Sequence, residues 1–437
     1  MSVQSILGVG ISRRGAITRR GFLRAMGVGS LGLSALGWGD LMTLRADEMR
    51  KRGMACIVLW MGGGPSQFET FDPKPGTSTG GETKAISTAV SGIQIAEHWP
   101  ETAKVMNDIA LIRSMNNKEG NHQRATYQLH TGYVPSGSVK HPSLGSLVCN
   151  ELGDINFDLP HFVYVQTGAQ GQGAPPGAAF LGVEYDPFVV QDPARPPANT
   201  TLPPAVSPNR LTRRVGLLKN LEKNFAQAGG QIAVEDHQAL YDKSANLVLS
   251  PRLNAFDLAQ ESDKTRDRFG SSSFGQGCLL ARRLVEVGVT YVEVRSPGNW
   301  DTHQQNFERV PALAKDVDPG LAGLVTDLKE RGLLDSTLVV WMGEFGRTPR
   351  INPNAGRDHW PRSFNVALAG GGIKGGQVIG ATNSDGTEIR DRPITVADLF
   401  CSMCYSLVVD HHKENTSPLG RPLKIVDGGN VIKELFS

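Results

Sequence analysis

The sequence predicts an α/β fold, a central and mostly parallel sheet sandwiched by helices. Three observations predict it. Short continuous apolar runs recur along the chain, each ending in glycine or a polar loop. Segments of helical period separate them, the order expected of strands joined by crossover helices. The runs do not alternate apolar with polar, so both faces of each strand are expected to be covered.

Taken in order, "MACIVLWM" (54–61) is the first such run and closes in Gly62-Gly63-Gly64-Pro65. "TYVEV" (290–294), "STLVVWM" (336–342) and "NVALA" (365–369) repeat the pattern. Helical periods precede two of them: "GCLLARRLVEVG" (277–288), and "LAGLVTDLKERGLL" (321–334) with Leu321, Leu324, Val325 and Leu328 on one face. Residues 166–210 lack periodicity and read as a loop-rich insertion or lid over the sheet. The organisation expected is an export signal over 1–46 and one domain over 47–437. Hydrophobic content of 39%, with Gly at 51 and Pro at 26, fits a large core wrapped in many loops.

The first 46 residues stand apart. "TRRGFLRAMGVGSLGLSALGWG" sets Arg19-Arg20 before Phe22-Leu23 and a short glycine-rich apolar run closed by Asp40. This pattern resembles a twin-arginine signal, which hands folded proteins to the twin-arginine translocation machinery. A periplasmic or extracellular location follows, with a membrane anchor only if the signal stays uncleaved. Without residues 1–46, which hold six Arg and one Asp, the formal charge falls from +2 to −3. A slightly acidic mature chain argues against nucleic-acid binding. Five scattered cysteines make no disulfide scaffold. Cys401 and Cys404 read as buried positions of a helix opened by a capping box at Thr395 and Asp398.

Chemistry in open α/β sheets gathers beyond the carboxyl ends of strands. There the run ending near Arg295 leads to Asp301 and His303, and the run ending at Met342 leads to Glu344 and, on the same loop, His359. Carboxylate and imidazole donors without cysteine suit a catalytic divalent metal such as zinc, manganese, iron or calcium, held at one site. His122, in "NHQRATYQLHTGY", is a candidate acid, base or nucleophile. Arg347 is a candidate partner for an anionic group. The Gly62–Gly64 turn is expected to carry Ser66 and Lys74 toward substrate. His98, His130, His141, His161 and His237 have no acidic partner at suitable spacing and read as structural, and His411-His412 reads as a solvated loop.

"LWMGGGPSQFETFDPKP", "NHQRATYQLHTGY", "WDTH", "LLDSTLVVWMGEFGRTP", "GRDHWP" and "ALAGGGIKGG" together resemble an exported family described as domain of unknown function 1501. The resemblance covers nearly all of the mature chain. That family is grouped with the alkaline phosphatase and sulfatase superfamily, which implies an alkaline phosphatase/sulfatase-like fold with a mixed central sheet, and metal-assisted hydrolysis of phosphate or sulfate esters, of small molecules or glycans. The transfer is partial. Met61-Gly62 stands where the superfamily's first strand ends in a ligand Asp, and Phe345 where a ligand His follows an acid. Counting back from Thr131-Gly132, the nucleophile position holds His122. Asp301, His303 and His359 match the ligands that remain. The alternative implied by these losses is a non-catalytic binding or scaffold protein on the same fold.

Overall fold

The computed structural model describes residues 53–436, apart from 138, 155 and 169–174. The expected signal at 1–46 lies outside these residues. In chain order the elements that build the site are β1 (Ala55–Trp60), β2 (Ile109–Asn116), α1 (His122–Thr131), α2 (Leu144–Leu152), β3 (Phe162–Gln166) and β4 (Phe188–Val190). They are followed by α3 (Ser273–Val287), β5 (Tyr291–Arg295), α4 (Asn306–Glu330), β6 (Thr337–Met342), β7 (Gly346–Arg347) and β8 (His359–Trp360). The last are β9 (Phe364–Ala369), β10 (Gln377–Ile379), β11 (Ile394–Thr395) and α5 (Val396–Ser406).

The main sheet has nine strands in the order β10-β2-β9-β6-β1-β5-β3-β4, with β11 also on β2. β1 pairs in parallel with β5 on one side and β6 on the other. Only β9 runs against its neighbours, antiparallel to both β2 and β6. The sheet is therefore mixed and mostly parallel; the uninterrupted apolar runs predict its parallel, doubly covered strands, and the family resemblance implies its mixed character.

Every residue of β1, β6 and β9 is buried, because helices cover both faces. The two-residue period of β1 sorts its side chains: Ile57 and Leu59 join the core under α3 and α4, Cys56, Val58 and Trp60 the core under α1, α2 and α5. Each fully buried branched side chain contributes about 1.5–3 kcal/mol.

Two sequence expectations need correction. α4 starts fifteen residues earlier than the 321–334 segment, because Pro311 and Pro319, which look like breakers, lie inside it. Residues 166–210 are not simply a lid over the sheet: Phe188–Val190 adds an edge strand parallel to β3, starting just after Pro187, where proline is tolerated. The helix holding Cys401 and Cys404 has the anticipated Thr395–Asp398 capping box, and both thiols are free and buried. No helix among the described residues is long and apolar enough to cross a membrane.

Candidate metal centre

Because β1, β5 and β6 are parallel neighbours, their carboxyl ends lie side by side. The β1 end supplies the Gly62–Gly64 turn, the β5 end the Asp301 loop, and the β6 end Glu344. The Asp301 loop is stitched to β1 by Ser296 N donating to Trp60 O at 2.9 Å and Trp300 N to Gly62 O at 3.1 Å. Gly63 has φ +110°, and a Cβ there would meet Asn299 Oδ1 at 2.1 Å. Only glycine lets the two loops approach so closely.

β2 delivers the next group. Its chain passes Gly120 and enters α1 through the N-cap Asn121, whose side chain accepts from Arg124 N. His122 thus opens the helix at the sheet edge. His359 arrives on the β7–β8 ribbon, where it pairs with Arg347.

These segments bring three imidazoles around Asp301. Its Oδ1 lies 3.0 Å from His303 Nε2 and 3.3 Å from His359 Nε2, and its Oδ2 lies 3.3 Å from His122 Nε2. His303 Nε2 and His359 Nε2 are themselves 3.0 Å apart. The donor atoms of His122, Asp301 and His359 all fall within 4.8 Å of one another.

The far nitrogen of each ring fixes its tautomer. His359 Nδ1 faces the Gly120 carbonyl at 2.8 Å, an oxygen that can only accept. His303 Nδ1 faces Asp358 Oδ1 at 2.7 Å, and His122 Nδ1 faces Glu344 Oε1 at 2.7 Å. Each Nδ1 therefore carries a hydrogen, and the Nε2 of each neutral ring presents a lone pair. Two such lone pairs and a carboxylate oxygen, 3.0–3.3 Å apart, hold together only around a proton or a cation. A tetrahedral site with bonds of about 2.0 Å has donor edges of about 3.3 Å, so Asp301, His303 and His359 fit a divalent ion in both chemistry and spacing.

Burial opposes charge on Asp301, but His122, His359 and Arg347 outweigh it and hold the carboxyl far below its usual range. Burial likewise disfavours the His122 imidazolium, yet the Asp301 and Glu344 carboxylates raise its pKa to about 9.

Several sequence-derived roles change. Glu344, expected as a ligand, is 2% exposed in its side chain. Its Oε1 accepts from Gly63 N at 2.8 Å and from His122, which it holds from behind, while its buried Oε2 has no hydrogen-bond partner. Arg347, expected to face an anion, is fully buried. Its guanidinium donates to the carbonyls of Gly63, Gly64 and Arg357 and sits 2.5 Å from Asp301 Oδ1. It is a resident counter-charge beneath the site. Ser66 is fully buried and contacts no member of the cluster in the described hydrogen bonds. Lys74 is held 2.9 Å from Asp72 and pairs with no member of the cluster among the described ion pairs. The Phe345 ring centroid lies 4.8 Å from those of His122 and His359, an apolar floor.

Sequence reasoning missed Asp358, the Gly120 carbonyl and the fully buried Glu69–Arg357 pair at 2.8 Å that anchors the 346–359 loop. Asp358 carried one signal, its place beside His359 in "GRDHWP".

The sequence profile described as Protein of unknown function (DUF1501) matches residues 54–436. The chain belongs to that family. No curated protein sequence matches it. Among solved structures, the DUF1501 chain is similar to the sulfatase PsFucS1 from Pseudoalteromonas sp., with 15% identity, 84% of this chain and 70% of that chain covered, and a TM-score of 0.40. It is also similar to the phosphonate monoester hydrolase of Agrobacterium radiobacter, with 12% identity, 87% and 77% covered, and a TM-score of 0.34. A third is the C-terminal periplasmic domain of EcEptC from Escherichia coli in complex with zinc, with 10% identity, 88% and 95% covered, and a TM-score of 0.36.

Proposed function

We propose that this DUF1501 protein is an exported, metal-dependent hydrolase of a phosphate or sulfate ester. The observation that carries the reading is the convergence of His303 Nε2, His359 Nε2 and Asp301 Oδ1, each ring anchored through its far nitrogen. The ester class comes from the motif resemblance set out above, and the exported location from the twin-arginine pattern at Arg19-Arg20.

Asp301, His303 and His359 would hold the ion, which supplies Lewis acidity toward an ester oxygen. His122 is the acid. Its Nδ1–H is tied to Glu344, and the proton on Nε2, beside Asp301 Oδ2, is the one available to a departing alkoxide. Glu344 keeps that ring oriented, and Arg347 offsets the Asp301 charge from below. Phe345 keeps water from the floor between the rings.

Metal analysis of the purified protein, with turnover of phosphomonoesters, phosphodiesters and sulfated sugars, tests the reading. Bound divalent metal that is lost in His359→Ala, and turnover lost in His122→Ala, are expected. No metal and no turnover in the intact protein would sink it.

One observation favours a second reading, a non-catalytic binding or scaffold protein. Arg347 and Lys74, the cations expected to grip an anionic ester, are both engaged elsewhere. Metal retained without turnover of any of these esters selects that reading.

A further inference from the structure

The imidazole of His303 is the most exposed donor of the cluster, with 45% of its side chain open to solvent. A ring so placed is free to swing away or to exchange tautomers unless something holds it. Two loops do. Gln305, at φ 54°, and Ala355, at φ 51°, both adopt the left-handed conformation that non-glycine residues rarely take. They meet where Gln305 N donates to Asn354 O and Asn306 N to Ala355 O. Asn352 Nδ2 donates to His303 O at 2.9 Å, and a Cβ on Gly356 would meet that same oxygen at 2.0 Å. The His303 backbone is thereby pinned to the 352–358 loop.

The same loop ends in Asp358, whose backbone is locked against Thr348: its N donates to Thr348 Oγ1 at 3.0 Å and its O accepts from Thr348 N at 2.9 Å. Its carboxylate, 57% exposed, spends Oδ1 on His303 Nδ1. An exposed carboxylate so tightly located contributes little stability as a surface pair. Its geometric effect is larger, because it selects which nitrogen of His303 bears hydrogen.

We propose that Asp358 is a positioning residue, which holds His303 in the Nδ1–H tautomer and turns its Nε2 lone pair toward Asp301 and His359. The role rests on the metal reading above for its purpose, but the tautomer itself is a property of the metal-free chain. In the same way the Gly120 carbonyl serves His359. A carboxylate behind an exposed ring and a carbonyl behind a more sheltered one produce matching donors.

The test uses the full chain with Asp358→Ala and Asp358→Asn, the latter keeping an acceptor oxygen. Imidazole ¹⁵N shifts of the metal-free protein at about pH 8, where an ordinary imidazole is neutral, report the His303 tautomer. The wild type and Asp358→Asn are expected to hold the Nδ1–H form, and Asp358→Ala to show a mixture. Zinc affinity, measured by chelator competition, is expected to fall about 10–100-fold in Asp358→Ala and less in Asp358→Asn. The thermal midpoint of the metal-free Asp358→Ala protein should stay near wild type. An unchanged His303 tautomer in Asp358→Ala overturns the proposal, whatever the zinc affinity does. A wild type that binds no zinc defeats the metal reading instead, and leaves the tautomer measurement to decide the role of Asp358.

Discussion

Helix α1 carries a histidine at each end, and the two make opposite use of the same chemistry. His122, in the first turn, lies between Glu344 and Asp301 and opens to solvent. His130, two turns on, is sealed beneath the sheet, its Nδ1 on Thr126 O at 2.7 Å and its Nε2 on Glu293 Oε1 at 3.2 Å, with Trp60 packed at 4.2 Å. Each ring donates Nδ1–H and turns Nε2 to a carboxylate. Around Asp301 two further imidazoles join, so several lone pairs need one cation. Around Glu293 no second imidazole joins among the described residues, and a single proton bridges His130 Nε2 and Glu293 Oε1, while Glu293 Oε2 lies buried without a hydrogen-bond partner. A histidine–carboxylate contact is therefore not itself a sign of function; the number of donors that converge on one point is.

The largest expected effect tests that distinction directly. His359→Ala should lower zinc affinity by more than the roughly 100-fold that outer partners alone cost, while His130→Leu leaves it unchanged; competition with a chromophoric chelator reads both. Equal losses would erase the contrast. Stability should rank the two ends of α1 the other way. His130→Ala strands Glu293 in the core and is expected to cost about 3–5 kcal/mol. His122→Ala, whose side chain is already 32% exposed, should cost about 1–2 kcal/mol, both by denaturant unfolding of metal-free protein.

Acidity sharpens the comparison further. Burial depresses the His130 pKa, but Glu293 outweighs it and raises the folded value above the 6.5 of a free imidazole. Folding then favours the proton. The stability it adds is complete below pH 6.5 and is lost as pH rises through the folded value. The gap in thermal midpoint between wild type and His130→Gln should thus shrink toward alkaline pH. His122 should instead shape the rate. As the acid it must be protonated, so turnover should fall as pH climbs toward about 9, or earlier with a cation bound, and His122→Gln should flatten that limb. The smallest effect on zinc affinity belongs to Lys74→Met. Lys74 pairs with Asp72 and with no member of the cluster among the described ion pairs, so zinc affinity should not move. Loss of this nearly buried pair should cost about 1–3 kcal/mol of stability.

The strands of this fold were legible because burial on both faces demands uninterrupted apolar runs, and 54–61 and 336–342 supply them. Asp301, His303, Glu344 and His359 were visible as polar residues just past those runs. Their division of labour was not. Whether Glu344 reaches an ion or stands behind His122 depends on which oxygen Gly63 N occupies, a contact spanning 281 positions. Arg347 looks in sequence like an anion grip because three of its partners are backbone carbonyls, which leave no trace in side-chain identity, and the fourth, Asp301, lies on another loop. Glu293 hid inside "TYVEV", where alternation gave no reason to seek a partner for His130. The prolines of α4 concealed half a helix for the converse reason: a local breaker was overruled by packing.

The Gly120 carbonyl that anchors His359 lies 239 positions before it in the chain. No short segment of this protein can therefore gather the three donors, and an ion can be captured only after β2, β5 and β6 have come together. If the chain is folded before it crosses the membrane, as the twin-arginine pattern proposes, the metal is chosen from the supply of the compartment where folding ends. The cell's metal economy at that place, more than the ligand set, then decides which ion the protein carries.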